Sequence, residues 1–143
     1  MNLHFAISAG TITDDDGNVL TTQAFSGNDS RQPENPHHYH GHNNSGTVTL
    51  VDGTEVQAQT LHKIGPLPCD VYRVAEFGHH NGLGEVVAEL TATGQSPSFG
   101  RDEFFIHGPG EDYANSSEGC VVVPHDARLK IASMRPTTLT VTP

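Results

Sequence analysis

The 143-residue chain has no tryptophan, only two methionines and two cysteines, and few cations: Lys and Arg number 7 against 17 Asp and Glu, a formal net charge of −10. That shortage of positive charge argues against nucleic acid as a partner, because phosphate neutralisation needs clustered Lys and Arg. No apolar run approaches the ~20 residues of a membrane-spanning helix, so no membrane partner is expected. Residues 1–20 carry neither a basic stretch nor an apolar one after it, so no secretory signal is expected there. The two cysteines form no CxxC pair and allow at most one disulfide.

Abundant glycine and proline set the character of the chain. Gly (15) and Pro (9) together predict many turns and few long helices. The length suits one domain over residues 1–143, burying roughly two-thirds of its unfolded surface.

Alternation marks the strands. Leu3, Phe5 and Ile7 alternate with smaller or polar residues, predicting a strand with one buried face. Ser8-Ala9-Gly10 turns it, and Thr11 to Thr13 follows. Asp14-Asp15-Asp16-Gly17-Asn18 is a turn signal, and Val19 to Phe25 reads as the return strand of a hairpin. Asn28 to Gly46 is polar, lacks periodicity and carries His37, His38, His40 and His42. It reads as a long, solvated polar loop, a type of segment that in compact domains is either functional or disordered. Close His spacing also suits a transition metal, but no acid or thiol follows to complete a site.

A second hairpin is predicted from Thr47–Val51, the Asp52-Gly53 turn and Thr54–Leu61. Gly65-Pro66-Leu67-Pro68 reads as a rigid turn, Asp70–Val74 as a strand, and Gly78–Gly84 as a loop with His79 and His80. Glu85–Ala92 fits a strand or a short helix. A short helix is expected from Pro124 to Ile131, with Leu129 and Ile131 inward, and Thr137–Thr142 closes as a strand. The expected architecture is mainly β, a sandwich or open barrel with one or two short helices.

One stretch carries chemistry. The apolar run Phe104–Ile106 ends in His107, a Gly-rich polar run follows, and Gly119-Cys120 opens a second apolar run, Val121–Val123. Two strands would deliver His107 and Cys120 to one end of a sheet. An imidazole beside a thiol is the minimum set for thiolate chemistry.

With His107-Gly108 upstream, Ser117-Glu118-Gly119-Cys120-Val121 resembles the signature of bacterial L,D-transpeptidases, and most closely the compact branch found among type VI secretion effectors. Three further blocks resemble that branch: Phe25-Ser26-Gly27, Ile64-Gly65-Pro66-Leu67-Pro68 with Tyr72, and Gly100-Arg101 ahead of Phe105-Ile106-His107. The blocks run in the family's order from position 25 to position 123. Glu118 stands where the larger branch has a second His, and Cys69-Asp70 stands where a Gly would follow the second Pro.

The resemblance implies an L,D-transpeptidase-like fold and acyl transfer on peptidoglycan stem peptides, with no cofactor or metal. Cys120 would be the nucleophile and His107 the base, steered by a backbone carbonyl near Gly108. Backbone N–H groups near Gly119 and Cys120 would hold the oxyanion. Ser117 would steady the turn or donate a hydrogen bond. Arg101, Gly108 and Tyr113 would contact substrate, Arg101 through a carboxylate. Cys69 would be structural, and both thiols free. The resemblance also implies action in the periplasm or wall after delivery by a secretion system, with an immunity protein as a further partner. The rival readings are a wall-binding module without turnover and a metal protein built on the 37–42 loop.

Overall fold

A computed structural model describes residues 1–29, 33–109 and 118–143. Its frame is a curled, mixed, ten-stranded sheet among the described residues, forming a half-barrel with one α-helix. The expectation of a mainly β fold is met.

The strands are β1 (Asn2–Ala6), β2 (Thr11–Thr13), β3 (Val19–Thr21), β4 (Phe25–Ser26), β5 (Thr47–Thr49), β6 (Glu55–Gln57), β7 (Val71–Val74), β8 (Gly78–His80), β9 (Gly84–Ala92), β10 (Phe104–His107), β11 (Val121–Val122) and β12 (Thr138–Thr142). The order across the sheet is β3-β2-β1-β12-β7-β9-β10-β11-β4, with β8 added to β9. The first and last strands lie parallel, Leu3 opposite Leu139 and Phe5 opposite Val141. These four side chains point into one core, as their alternation requires.

Chain continuity explains the curl. β3 and β4 are the two ends of the strand order, yet only Thr22, Gln23 and Ala24 separate them. Four residue steps span at most about 14 Å, so the far edges of the sheet must come close. The expected single return strand Val19–Phe25 is therefore corrected: it breaks after Thr21, and Phe25-Ser26 joins the opposite edge beside β11. There Phe25 faces Val122, which brings the Phe25-Ser26-Gly27 block to the strand that follows Cys120.

Other segments sharpen or correct the expectations. Glu85–Ala92 resolves as strand: β9 pairs with both β7 and β10. The expected loop at 78–84 instead holds β8, paired to β9 across a register shift. The second hairpin forms as a separate two-stranded sheet, Val48 opposite Val56, but it is shorter than expected. The chain turns after Thr49, Val51 is 72% exposed, and Ala58–Thr60 is a 3-10 turn.

The helix, α1 (His125–Ser133), starts behind Pro124 and carries Asp126 in its first turn and Lys130 in its last, both suited to the helix dipole. Its inward residues are Arg128 and Ile131, three apart on one face. Leu129, expected inward, is 48% exposed, because it lies about 100° around the helix from Arg128.

Candidate active site

β10 and β11 run parallel, Ile106 opposite Val121 and His107 opposite Val122. Alternation then separates two sets of side chains. Phe104, Ile106, Val121 and Val123 enter the core, while Phe105 and His107 point to the other face. Cys120 precedes the first paired residue of β11, and by register it stands level with Phe105. Two strand steps and one strand spacing put its Cα about 8 Å from that of His107. The two side chains and a hydrogen bond can span that gap.

His107 is buried and its Nδ1 lies 2.7 Å from the carbonyl oxygen of Gly108. A carbonyl only accepts, so Nδ1 carries the proton and Nε2 of the neutral ring is left as the acceptor. The Gly108 carbonyl thus fixes the tautomer and the orientation of the His107 ring. Burial holds the His107 pKa below its ordinary value; the hydrogen bond to Gly108 opposes this, and the nearby positive charge of Arg128 adds to it. Both causes of depression keep the ring neutral at pH 7.

Cys120 is a partly exposed free thiol, its Sγ 3.9 Å from the carbonyl oxygen of Glu103. Burial pushes the thiol up to about 11. The Glu118 carboxylate adds to the rise, while the Phe105 backbone hydrogen bond and the Arg101 charge pull it down. The directions of the two shifts favour a neutral thiol and a neutral imidazole over a thiolate–imidazolium pair. Cys120 opens onto a cleft of about 240 Å³ that is also lined by His62, Lys63, Arg101, Asp102, Glu103 and Glu118. His107 is not among its lining residues.

The turn that presents Cys120 is held by buried polar groups. Gly119 has φ +118°, a conformation open to glycine, and a Cβ there would collide with Nη2 of Arg101. Ser26, fully buried, donates from Oγ to the Gly119 carbonyl at 3.1 Å and accepts from the Leu67 amide at 2.7 Å. Tyr72 donates to the Pro68 carbonyl at 2.6 Å.

Arg101 is the main clamp. Nη1 donates to the carbonyls of Gln59 and Pro66, both at 2.7 Å, and Nη2 to those of Gly65 and Glu118 at 2.8 and 3.2 Å. Its Cζ also sits 5.5 Å from the centre of the Phe104 ring. Burial lowers the guanidinium to about 10, so it stays charged at neutral pH. Four of its five N–H donors are spent on backbone carbonyls, so Arg101 holds the backbone around the cleft and keeps little of its fork for the substrate carboxylate that was expected.

Ser117 and Tyr113 lie outside the described residues. Gly108 packs against the guanidinium of Arg128, leaving no space for a side chain. Cys69 is a free, half-buried thiol whose backbone N–H donates to Gln59 Oε1 at 2.9 Å; burial raises its pKa. In the His-bearing loop, His42 stacks on Phe25 at 4.6 Å, and Asn35 ties the Asp29 and Tyr39 backbones together. Among the described residues no group of three or more His, Cys, Asp or Glu is placed to hold a metal ion.

Sequence reasoning did not single out Ser26 or Arg128 as part of the site. Ser26 sat inside a recognised block. Arg128 had a weaker signal, its three-residue spacing from the apolar Ile131. Comparison with protein-family models, with curated proteins and with solved structures yields no match to this chain.

Proposed function

We propose that this protein is a cysteine-dependent acyltransferase of peptidoglycan stem peptides, acting as an L,D-carboxypeptidase, an L,D-transpeptidase or both. One observation carries the reading. Four blocks far apart in sequence, 25–27, 64–72, 100–107 and 118–123, meet around the Gly119-Cys120 turn, joined by the bonds of Ser26 and Arg101. The buried Ser26, the buried Arg101 and the positive-φ Gly119 that hold the residue before Cys120 support this reading over a filler role for the thiol.

The chemistry follows from the protonation states. Nε2 of His107 takes the thiol proton as Sγ attacks the peptide carbonyl carbon, and the C–S bond forms as the carbonyl π electrons move to oxygen. Backbone N–H groups at the Gly119-Cys120 turn stabilise that oxyanion. The tetrahedral centre collapses, the C–N bond breaks, and the imidazolium returns its proton to the departing amine. Water or a second amine then cleaves the thioester. With a thiol pKa of about 11, thiolate at pH 7 is on the order of one molecule in ten thousand, so proton transfer to His107 is part of the attack.

The substrate lies outside the inner membrane, so this reading includes export by a secretion machine and an antibacterial role. The test is incubation with purified muropeptides followed by mass spectrometry. Wild type should trim or exchange the stem peptide, and Cys120→Ala should do neither while staying folded. Turnover by that variant would defeat the mechanism.

A further inference from the structure

Arg128 is a buried cation that the mechanism above does not use. It projects from α1 across the ends of three strands. Nε donates to the Val123 carbonyl at 2.9 Å, just past β11; Nη1 donates to the carbonyls of Glu85 and Val86 in β9, at 2.8 and 3.1 Å. Between them the guanidinium lies against Gly108, just past β10: a Cβ there would stand 2.8 Å from Cζ and 3.3 Å from Nε. Val86 has φ +57°, a strained conformation for a β-branched residue, and its carbonyl is one of the two that Nη1 holds.

We propose that Arg128 is a positioning residue: seated on Gly108 and tied to β9 and β11, it fixes the peptide whose carbonyl aims Nε2 of His107. The proposal deepens the acyl-transfer reading and rests on His107 as its base. The geometry leaves Gly108 little freedom. Its carbonyl receives Nδ1 at 2.7 Å, and its Cα is pressed against a planar cation anchored at three carbonyls. A forked, planar group is needed to bond two strands and stack on a third, which a lysine ammonium cannot do.

Arg128 also adds a permanent positive charge near the imidazole, which opposes protonation. Among the described residues, the other titratable groups on the elements packed around Arg128 and His107 include His125, His80 and Glu85, with Cys120 on the strand beside β10. His125 Nδ1 is 3.5 Å from Nη2, His80 packs on Phe105, and the Glu85 carboxylate is turned to His79 at 2.8 Å.

The experiment is nitrogen-15 NMR of the histidines in the full chain, titrated from about pH 4 to 9, for wild type, Arg128→Gln, Arg128→Lys and Gly108→Ala, each checked for folding by circular dichroism. Wild-type His107 should show the Nδ1–H tautomer alone and a midpoint below the usual value of about 6.5. Arg128→Gln should mix the tautomers and raise the midpoint. Arg128→Lys should restore the low midpoint, through charge, but not the single tautomer. Gly108→Ala, which pushes the guanidinium off its seat, should mix the tautomers with Arg128 still present. Should Arg128→Gln not fold, the last two variants carry the comparison.

On muropeptides, loss of aim should lower kcat about ten- to a hundredfold with KM little changed. A folded Arg128→Gln, or Arg128→Lys and Gly108→Ala in its place, with the wild-type tautomer and midpoint would overturn the proposal. Wild type inactive on every muropeptide would defeat the acyl-transfer reading instead, and the NMR result would still decide what Arg128 does to His107.

Discussion

The guanidinium of Arg101 stands where a side chain on Gly119 would go: a Cβ built there falls 3.3 Å from Cζ and 3.0 Å from the Phe104 ring, and collides with Nη2. The residue before the candidate nucleophile is thus locked by a cation whose own bonds run to Gln59, Gly65, Pro66 and Glu118. Gly119→Ala must both move that clamp and hold alanine at positive φ. We expect a loss of roughly 1–3 kcal/mol in urea unfolding and at least a tenfold fall in muropeptide turnover (an order-of-magnitude expectation). Wild-type stability in Gly119→Ala would mean that Arg101 yields freely and is no clamp.

Arg101→Lys separates a structural role from a substrate contact. A lysine cannot reach four carbonyls in a fork, and each buried carbonyl left without a donor costs about 1–3 kcal/mol. The variant should therefore unfold at a lower urea concentration. A residue that only bound a substrate carboxylate would leave the urea midpoint unchanged and raise KM alone.

Two pH limits follow from the signs of the shifts. His107 is depressed, so its neutral, proton-accepting form persists below the ordinary histidine range, and the acid limb of kcat/KM should lie under about 6.5. Cys120 is raised to about 11. Its alkylation by iodoacetamide, followed by intact mass, should be slow at pH 7 and climb about tenfold for each pH step of one up to about 10. A plateau already at pH 7 would indicate a stable thiolate and a different mechanism.

The other thiol should be dispensable. Cys69 donates only its backbone N–H, to Gln59 Oε1, and packs at the margin of the core. Cys69→Ser should retain turnover within about threefold and cost about 1 kcal/mol. A folded Cys69→Ser variant without activity would tie the two cysteines together.

The antibacterial reading has its own test. Cytoplasmic expression in bacteria should be tolerated, because the proposed substrate is absent there. Fusion to an export signal should slow growth and swell or lyse cells, and Cys120→Ala should remove the harm. Equal growth of the two exported forms would count against a toxin and leave the fold untouched.

The β character of this chain was legible in local pattern. Leu3-Phe5 and Thr138–Thr142 alternate with the two-residue period that a half-buried strand needs, and the Asp-Gly turns punctuate them. The candidate pair, His107 and Cys120, was legible because each ends or opens an apolar run. What local pattern cannot carry is pairing across distance. That β1 meets β12, that Phe25-Ser26 leaves its own hairpin for β11, and that Gly78–His80 is strand depend on which edges remain open once the sheet curls. The same limit hid the roles of the two arginines. A charged residue looks solvent-facing in sequence, and only the folded arrangement of unpaired carbonyls makes burial of Arg101 and Arg128 favourable: their forked N–H groups satisfy acceptors that no strand ladder reaches.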